Sequence, residues 1–304
     1  MKEFFPNYYE KFKCIADRCV HCCCVGWEID IDDDTLHFYN SLDSELGDRI
    51  RNSIDTDPPH FILNQGDRCP FLNSCGLCDI ISEYGEDALC DICYLHPRFR
   101  NFYSGCIETG LGASCEEAAR IILGFEEKFS VSSDNTLFDD EELALIEERA
   151  KIFSILQDRE KTISERFSLL ASEYSVLLNK PLDALCKFYL SLERLDEEWT
   201  GEIGRLKEYK FKNRIFGKEE FALMFEQMTV YFIFRHMIRV LDRWDASVIV
   251  DFALTSVFII GALCEMHGCI ASDIAEYFRM YSSEVEYSED NTEAILAALS
   301  EGMI

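Results

Sequence analysis

Cys14-Ile15-Ala16-Asp17-Arg18-Cys19-Val20-His21-Cys22-Cys23-Cys24-Val25-Gly26-Trp27 is the stretch on which the reading of this chain turns. Five cysteines and one histidine crowd a segment too short to build an apolar core. Thiolates are soft donors that suit zinc, copper(I) and iron–sulfur clusters. Adjacent Cys22, Cys23 and Cys24 cannot all point one way, so they divide between ligand sets or roles. The competing reading is a disulfide knot, which belongs to oxidising compartments.

The composition argues against that knot. Fifteen cysteines is an odd number, and Met1-Lys2-Glu3-Phe4-Phe5-Pro6 does not have the charged, apolar and small-residue order of a signal peptide. A reducing, cytoplasmic setting is therefore expected. Twelve of the fifteen cysteines lie between Cys14 and Cys115, leaving Cys186, Cys264 and Cys269 beyond. With 48% apolar residues the chain can bury a real core. The formal charge of −28, from 57 acidic against 29 basic residues, repels phosphate and argues against nucleic acid. Such a surface could attract a lysine-bearing protein.

Working outward, Phe4, Phe5, Tyr8, Tyr9 and Phe12 are placed to cover the cysteine stretch. Asp33 or Asp34 can cap a helix over about Thr35–Leu46. The polar run 130–139 is the best linker, so a cysteine-rich part at 1–130 and a helical part at 131–304 are expected. Beyond it the pattern is helix after helix. Glu141–Asp158 carries a stripe of period 3.6, and Thr162-Ile163-Ser164-Glu165 matches a capping box. Pro181 opens a helix to about Trp199, and Lys218–Trp244 and Ala246–Met266 are long and apolar. Val248–Leu263 is short for a membrane span and is interrupted by Asp251, so it reads as a buried bundle helix, with Arg235 or Arg239 as the partner of Asp251. No membrane association is expected. The fold class is mainly α: a loop-rich cysteine-cluster part followed by an α-helical bundle.

Three cysteine sites follow from the spacing. The first is Cys14, Cys19, Cys23 and Cys24. The second runs from Cys69-Pro70-Phe71-Leu72 through Cys75-x2-Cys78 to Cys90-x2-Cys93, with His96 nearby. The third is Cys115, at a helix N-terminus. A two-residue gap lets one turn present both sulfurs to one ion or cluster, with zinc and iron–sulfur both open. His21 and His96 read as neighbours of the ligands. The Cys-x3-Cys-x2-Cys pattern of radical S-adenosylmethionine enzymes is missing, because Gly26 follows Cys19-x3-Cys23 at the required place. Gly110-x-Gly112 reads as a turn with no convincing strand before it, not a dinucleotide loop.

Four blocks together resemble the FliB family, the flagellin lysine N-methylases. They are Phe12-Lys13-Cys14-Ile15 through Cys23-Cys24-Val25-Gly26-Trp27, Cys69-Pro70-Phe71-Leu72 with Gly76-Leu77-Cys78, Gly85-Glu86 with Cys93 and Pro97-Arg98, and Glu108 through Ser114-Cys115-Glu116-Glu117-Ala118-Ala119-Arg120. The likeness covers about residues 5–125. It departs from the family at Val20-His21, where an acidic pair is expected, and at Glu116, where a proline is. The resemblance implies methyl transfer from S-adenosylmethionine to lysines of flagellin and an iron–sulfur cluster of the 4Fe-4S type. It implies Cys14, Cys19, Cys23, Cys24, Cys69, Cys78, Cys93 and Cys115 as metal ligands, and leaves Cys22, Cys75, Cys90 and Cys106 outside the set. Those eight sulfurs should gather into one or two groups, with Cys186, Cys264 and Cys269 apart.

Methylation needs a neutral amine, against an ordinary lysine pKa near ~10.4, so burial or a base must supply it. Glu108 is the candidate base, with Tyr8 or Tyr103 as helpers. The rival reading is a non-catalytic cysteine-rich zinc or iron protein whose helical half docks a partner.

Overall fold

The computed structural model describes residues 1–178 and 180–304 and is mainly α-helical. The chain parts into two compact units, Lys13–Arg98 and the remainder, Met1–Phe12 with Phe99–Ile304. The expected boundary at 130/131 is not where it divides. Strand β1 (Lys2–Phe4) pairs in parallel with a later strand at Cys106–Leu111, and this ties the N-terminus to the helical unit. Phe4 and Tyr8, expected over the cysteine stretch, are buried in that unit's core, and Tyr9 and Phe12 pack against it.

The Lys13–Arg98 unit is built from short pieces. Helices α1 (Asp33–Ser41), α2 (Glu45–Asn52), α3 (Asp79–Tyr84) and α4 (Asp91–Leu95) surround a two-stranded antiparallel ribbon, β2 (Ile54–Thr56) and β3 (Pro59–Phe61). Asp32, one residue before the expected caps, accepts from the Thr35 amide to start α1. Its other oxygen accepts from the Asp91 amide at the start of α4. The core is small, with Ile29, Ile31, Tyr39, Leu46, Ile50, Phe61 and Phe71 among its members.

The helical unit holds β4 (Arg98–Phe102) and β5 (Cys106–Leu111), in the order β1-β5-β4. It then runs through α5 (Glu116–Leu123), α6 (Asp140–Leu156), α7 (Ile163–Glu173), α8 (Leu182–Tyr189), α9 (Glu197–Lys207), α10 (Ala222–His236), α11 (Ala246–His267), α12 (Ala271–Tyr281) and α13 (Glu289–Ser300). Capping boxes start α6 at Asp139/Glu142 and α7 at Thr162/Glu165, the latter as expected. The helix expected from Pro181 to Trp199 is two, α8 and α9. Gly110 lies within β5, not in a turn, and a Cβ there would lie 2.3 Å from the Phe99 ring and 2.9 Å from that of Phe234. The glycine therefore lets rings close over the strand. Helix α11 is long and apolar enough to cross a bilayer, yet 83% of its most apolar stretch is buried within the protein. Asp251 on it pairs with Lys180 at 3.0 Å, not with Arg235 or Arg239. Those two arginines are taken by acidic residues after α12.

Arg235 meets Glu286, the last residue of a π-helical turn (Ser282–Glu286), and the Glu286 side chain is shut from water while that of Arg235 is 16% exposed. His236 Nε2 lies 2.6 Å from the carboxylate, and the Tyr231 and Ser282 hydroxyls donate to it. Burial alone would raise the Glu286 pKa. Arg235, then His236 and Ser282, outweigh it and hold the group at about 2, against an ordinary 4.5. Burial also lowers the pKa of His236, so the ring is neutral and its Nε2–H donates. A carboxylate with a depressed folded pKa contributes stability that is complete above its unfolded value. That contribution is lost as pH falls from 4.5 through about 2, and amounts to about 3 kcal/mol. Acid-unfolding curves of Glu286→Gln should accordingly be flatter than the parent's in that window. Parallel curves would exclude the network as the source.

Candidate metal centre

The cysteine loops are joined by backbone pairing. The Cys22–Val25 turn closes through the Val25 amide on the Cys22 carbonyl, and Gly26 takes a positive φ of 92° that a Cβ would strain. The strand-like segment so formed lies against residues 67–69: the Gly26 amide donates to Asp67 O and the Cys69 amide to Cys24 O, each at 2.9 Å. This ladder draws the first and second cysteine sites together across more than forty residues of chain. The Trp27 indole donates to the Cys23 carbonyl and fixes the turn from its far side.

The second site is folded by side-chain caps. Asn73 Oδ1 accepts from the Cys75 and Leu77 amides, and the Asp79 amide donates to Phe71 O. Cys78 thereby becomes the residue that starts α3, and Cys90 starts α4 with Cys93 one turn on. Tyr39 donates to Ala88 O at 2.8 Å and holds the α3–α4 connection over the buried sulfurs.

The sulfurs fall into two neighbouring sets. In the first, Cys24 hydrogen-bonds with Cys22 and Cys23, and Cys14 feels the charges of Cys23 and Cys22. In the second, Cys90 and Cys93 hydrogen-bond to each other, Cys69 feels Cys78 and Cys90, and Cys78 feels Cys90. Cys93 also feels Cys23, which links the two sets. Burial, and then the neighbouring thiols, push Cys69 up to about 11, and burial likewise raises Cys14 and Cys78. Several thiolates can share so small a volume only if a cation offsets their charge, and binding one must release protons. Among the described residues no three His, Cys, Asp or Glu side chains converge on one point at single-ion distance. The chemistry of the donor set, soft thiols that lie near one another, fits a thiolate-bound metal.

Of the eight expected ligands, Cys23 and Cys24 hydrogen-bond to each other with Cys14 near enough to feel Cys23, while Cys93 hydrogen-bonds to Cys90, whose charge Cys69 and Cys78 feel. Cys19, half-exposed, follows the turn Ala16–Arg18. Cys115 starts α5 in the helical unit. Cys22 and Cys90 join the sets although the resemblance leaves them out, and the Cys90-x2-Cys93 spacing was the signal for the latter. Cys75 is exposed at a loop tip. His96 is half-buried beside Trp27, and desolvation, with Arg98 adding to it, lowers its pKa to about 4. Glu108, the expected base, is fully buried on β5. Arg149 Nη1 and Nη2 each donate to one of its oxygens at 2.6 Å, and Tyr103 donates at 3.2 Å.

No family model and no solved structure matches this chain. Curated relatives do. The flagellar biosynthetic protein FliU of Salmonella muenchen is 24% identical over 158 residues, 49% of this chain and 94% of that protein. The lysine-N-methylase of Salmonella typhimurium is 23% identical over 215 residues, 65% of this chain, and the chain spans only 50% of that protein's length. The lysine-N-methylase of Salmonella choleraesuis matches with the same figures. The resemblance read from the cysteine blocks thus recurs in the comparisons: this chain is similar to lysine-N-methylases and to a flagellar biosynthetic protein.

Proposed function

We propose that this chain is a cytoplasmic protein-lysine N-methyltransferase that uses S-adenosylmethionine, acts on flagellin, and carries an iron–sulfur cluster of the 4Fe-4S type. The observation that carries the proposal is the contact of the Cys90 and Cys93 thiols, with Cys69 and Cys78 near enough to feel the Cys90 charge, in a chain similar to lysine-N-methylases. Four cysteine thiolates are what such a cluster takes. Those four residues would hold it, and Cys14, Cys22, Cys23 and Cys24 form a second donor set beside them. Bound there, the cluster would neutralise the thiolates and tie the loops together. Zinc is the alternative occupant.

In the transfer itself, a neutral lysine nitrogen attacks the sulfonium methyl. The N–C bond forms as the S–C bond breaks, the thioether leaves uncharged, and the nitrogen sheds one proton. The acidic balance of Lys13–Arg98, 17 acidic against 6 basic residues, favours a cationic side chain's approach. Protein purified without oxygen should be brown, contain iron, and bleach in air. Incubated with flagellin and methyl-labelled S-adenosylmethionine, it should transfer label to lysine. Colourless protein with stoichiometric zinc rejects the cluster. Coloured protein that transfers no label rejects the methyltransferase and leaves a metal-binding protein.

A further inference from the structure

Helix α11 ends in a motif that brings two thiols together away from the cysteine unit. Gly268 takes the left-handed conformation, with φ of 65°, as glycine does most readily. The Cys269 amide donates to Cys264 O at 3.0 Å and the Gly268 amide to Glu265 O at 3.3 Å. These are the paired bonds of a Schellman stop, which sets the residue after the left-handed glycine against the residue a turn and a half before it. That contact is ordinarily apolar. Here it is Cys264 against Cys269, with the two sulfurs in hydrogen-bond contact and the residues 0% and 3% exposed. Local backbone geometry, not distant packing, therefore holds the pair together.

We propose that Cys264 and Cys269 form a reversible dithiol–disulfide pair, oxidised by low-molecular-weight disulfides. The two sulfurs have different roles. Cys264 is sealed in the body of α11, whereas Cys269 lies between exposed Gly268 and exposed Ile270 in the short link to α12. Fraying of that link uncovers Cys269 first. The S–H of Cys264 also donates to Cys269 and lowers its pKa, against burial and the charges of Asp273 and Glu202. Cys269 thiolate attacks one sulfur of the small disulfide, breaking its S–S bond and releasing one thiolate. Cys264 then gives up its proton and attacks the Cys269 sulfur, releasing the second. Two electrons and two protons pass from the protein to the reagent, which leaves as two thiols. The proposal does not depend on the methyltransferase reading.

The test uses the full chain, reduced, treated with oxidised glutathione, then alkylated under denaturing conditions and mapped by peptide mass. The peptide or peptides holding Cys264 and Cys269 should be two hydrogens lighter and unlabelled, while equally buried Cys186 stays labelled. Dithiothreitol should reverse the change. Cys264→Ser should stop at a glutathione adduct on Cys269, and Cys269→Ser should leave Cys264 unmodified. Full labelling of both cysteines in the treated parent, or a bond from either to another cysteine, overturns the pair. An adduct on Cys264 in Cys269→Ser overturns the order of attack. If either variant fails to fold, the parent's peptide map still decides the pairing.

Discussion

On the proposed metal-centre reading, Cys93→Ser should strip the metal from Lys13–Arg98 and unfold that unit, while Phe99–Ile304 keeps its helices. The reason lies in how little else holds the unit together. Its longest helix has nine residues, and isolated helices below about 12–15 residues are marginal in water. Its buried core is a dozen residues, two of which are Cys69 and Cys90 themselves. Small scaffolds of this kind need a staple, and a closed four-thiolate zinc site is worth roughly 10–16 kcal/mol. Removing one donor opens the set in which Cys93 touches Cys90 and feels Cys69 and Cys23. Metal analysis should show the loss directly. Limited proteolysis should then cut within 13–98 and spare the helical unit. Cys75→Ser, at the exposed loop tip, is the control and should change neither readout. A Cys93→Ser protein that keeps its metal and its resistance would remove this set as the site.

Glu108→Ala should destabilise the helical unit by about 3–5 kcal/mol, because it leaves a guanidinium buried without its counter-charge. The Arg149 side chain is 3% exposed and the Glu108 side chain 0%. Two hydrogen bonds of 2.6 Å join them, and the guanidinium also lies 5.3 Å from the Phe234 ring centre. The penalty is that of the orphaned charge, so replacing both partners should recover most of it. Glu108→Leu with Arg149→Met is the variant to make, with urea midpoints as the measure. The same comparison separates structure from catalysis. If Glu108 were the base, Glu108→Gln would melt like the parent and fail only in transfer. A lowered urea midpoint for Glu108→Gln instead marks it as a strut.

The cysteine content and its bias to the first third were legible in the sequence because thiol density is a chemical signal that needs no fold to be read. The mainly α class was legible too, from capping boxes at Thr162/Glu165 and apolar stripes that local hydrogen bonding dictates. Asp32, by contrast, outcompeted Asp33 and Asp34 as cap, and its second oxygen serves α4, a contact no local pattern encodes. Which thiols meet was decided by the pairing of Gly26 and Cys24 with 67–69, a register set by long-range hydrogen bonds. The same holds for the role of Glu108. Its partner Arg149 sits 41 residues away, and only the packing of α6 on the sheet makes one buried pair of them. Sequence determined which chemistry is present. Tertiary structure decided which groups share a low-dielectric space, and so which thiols lie near one another and which carboxylate is paired with a buried guanidinium.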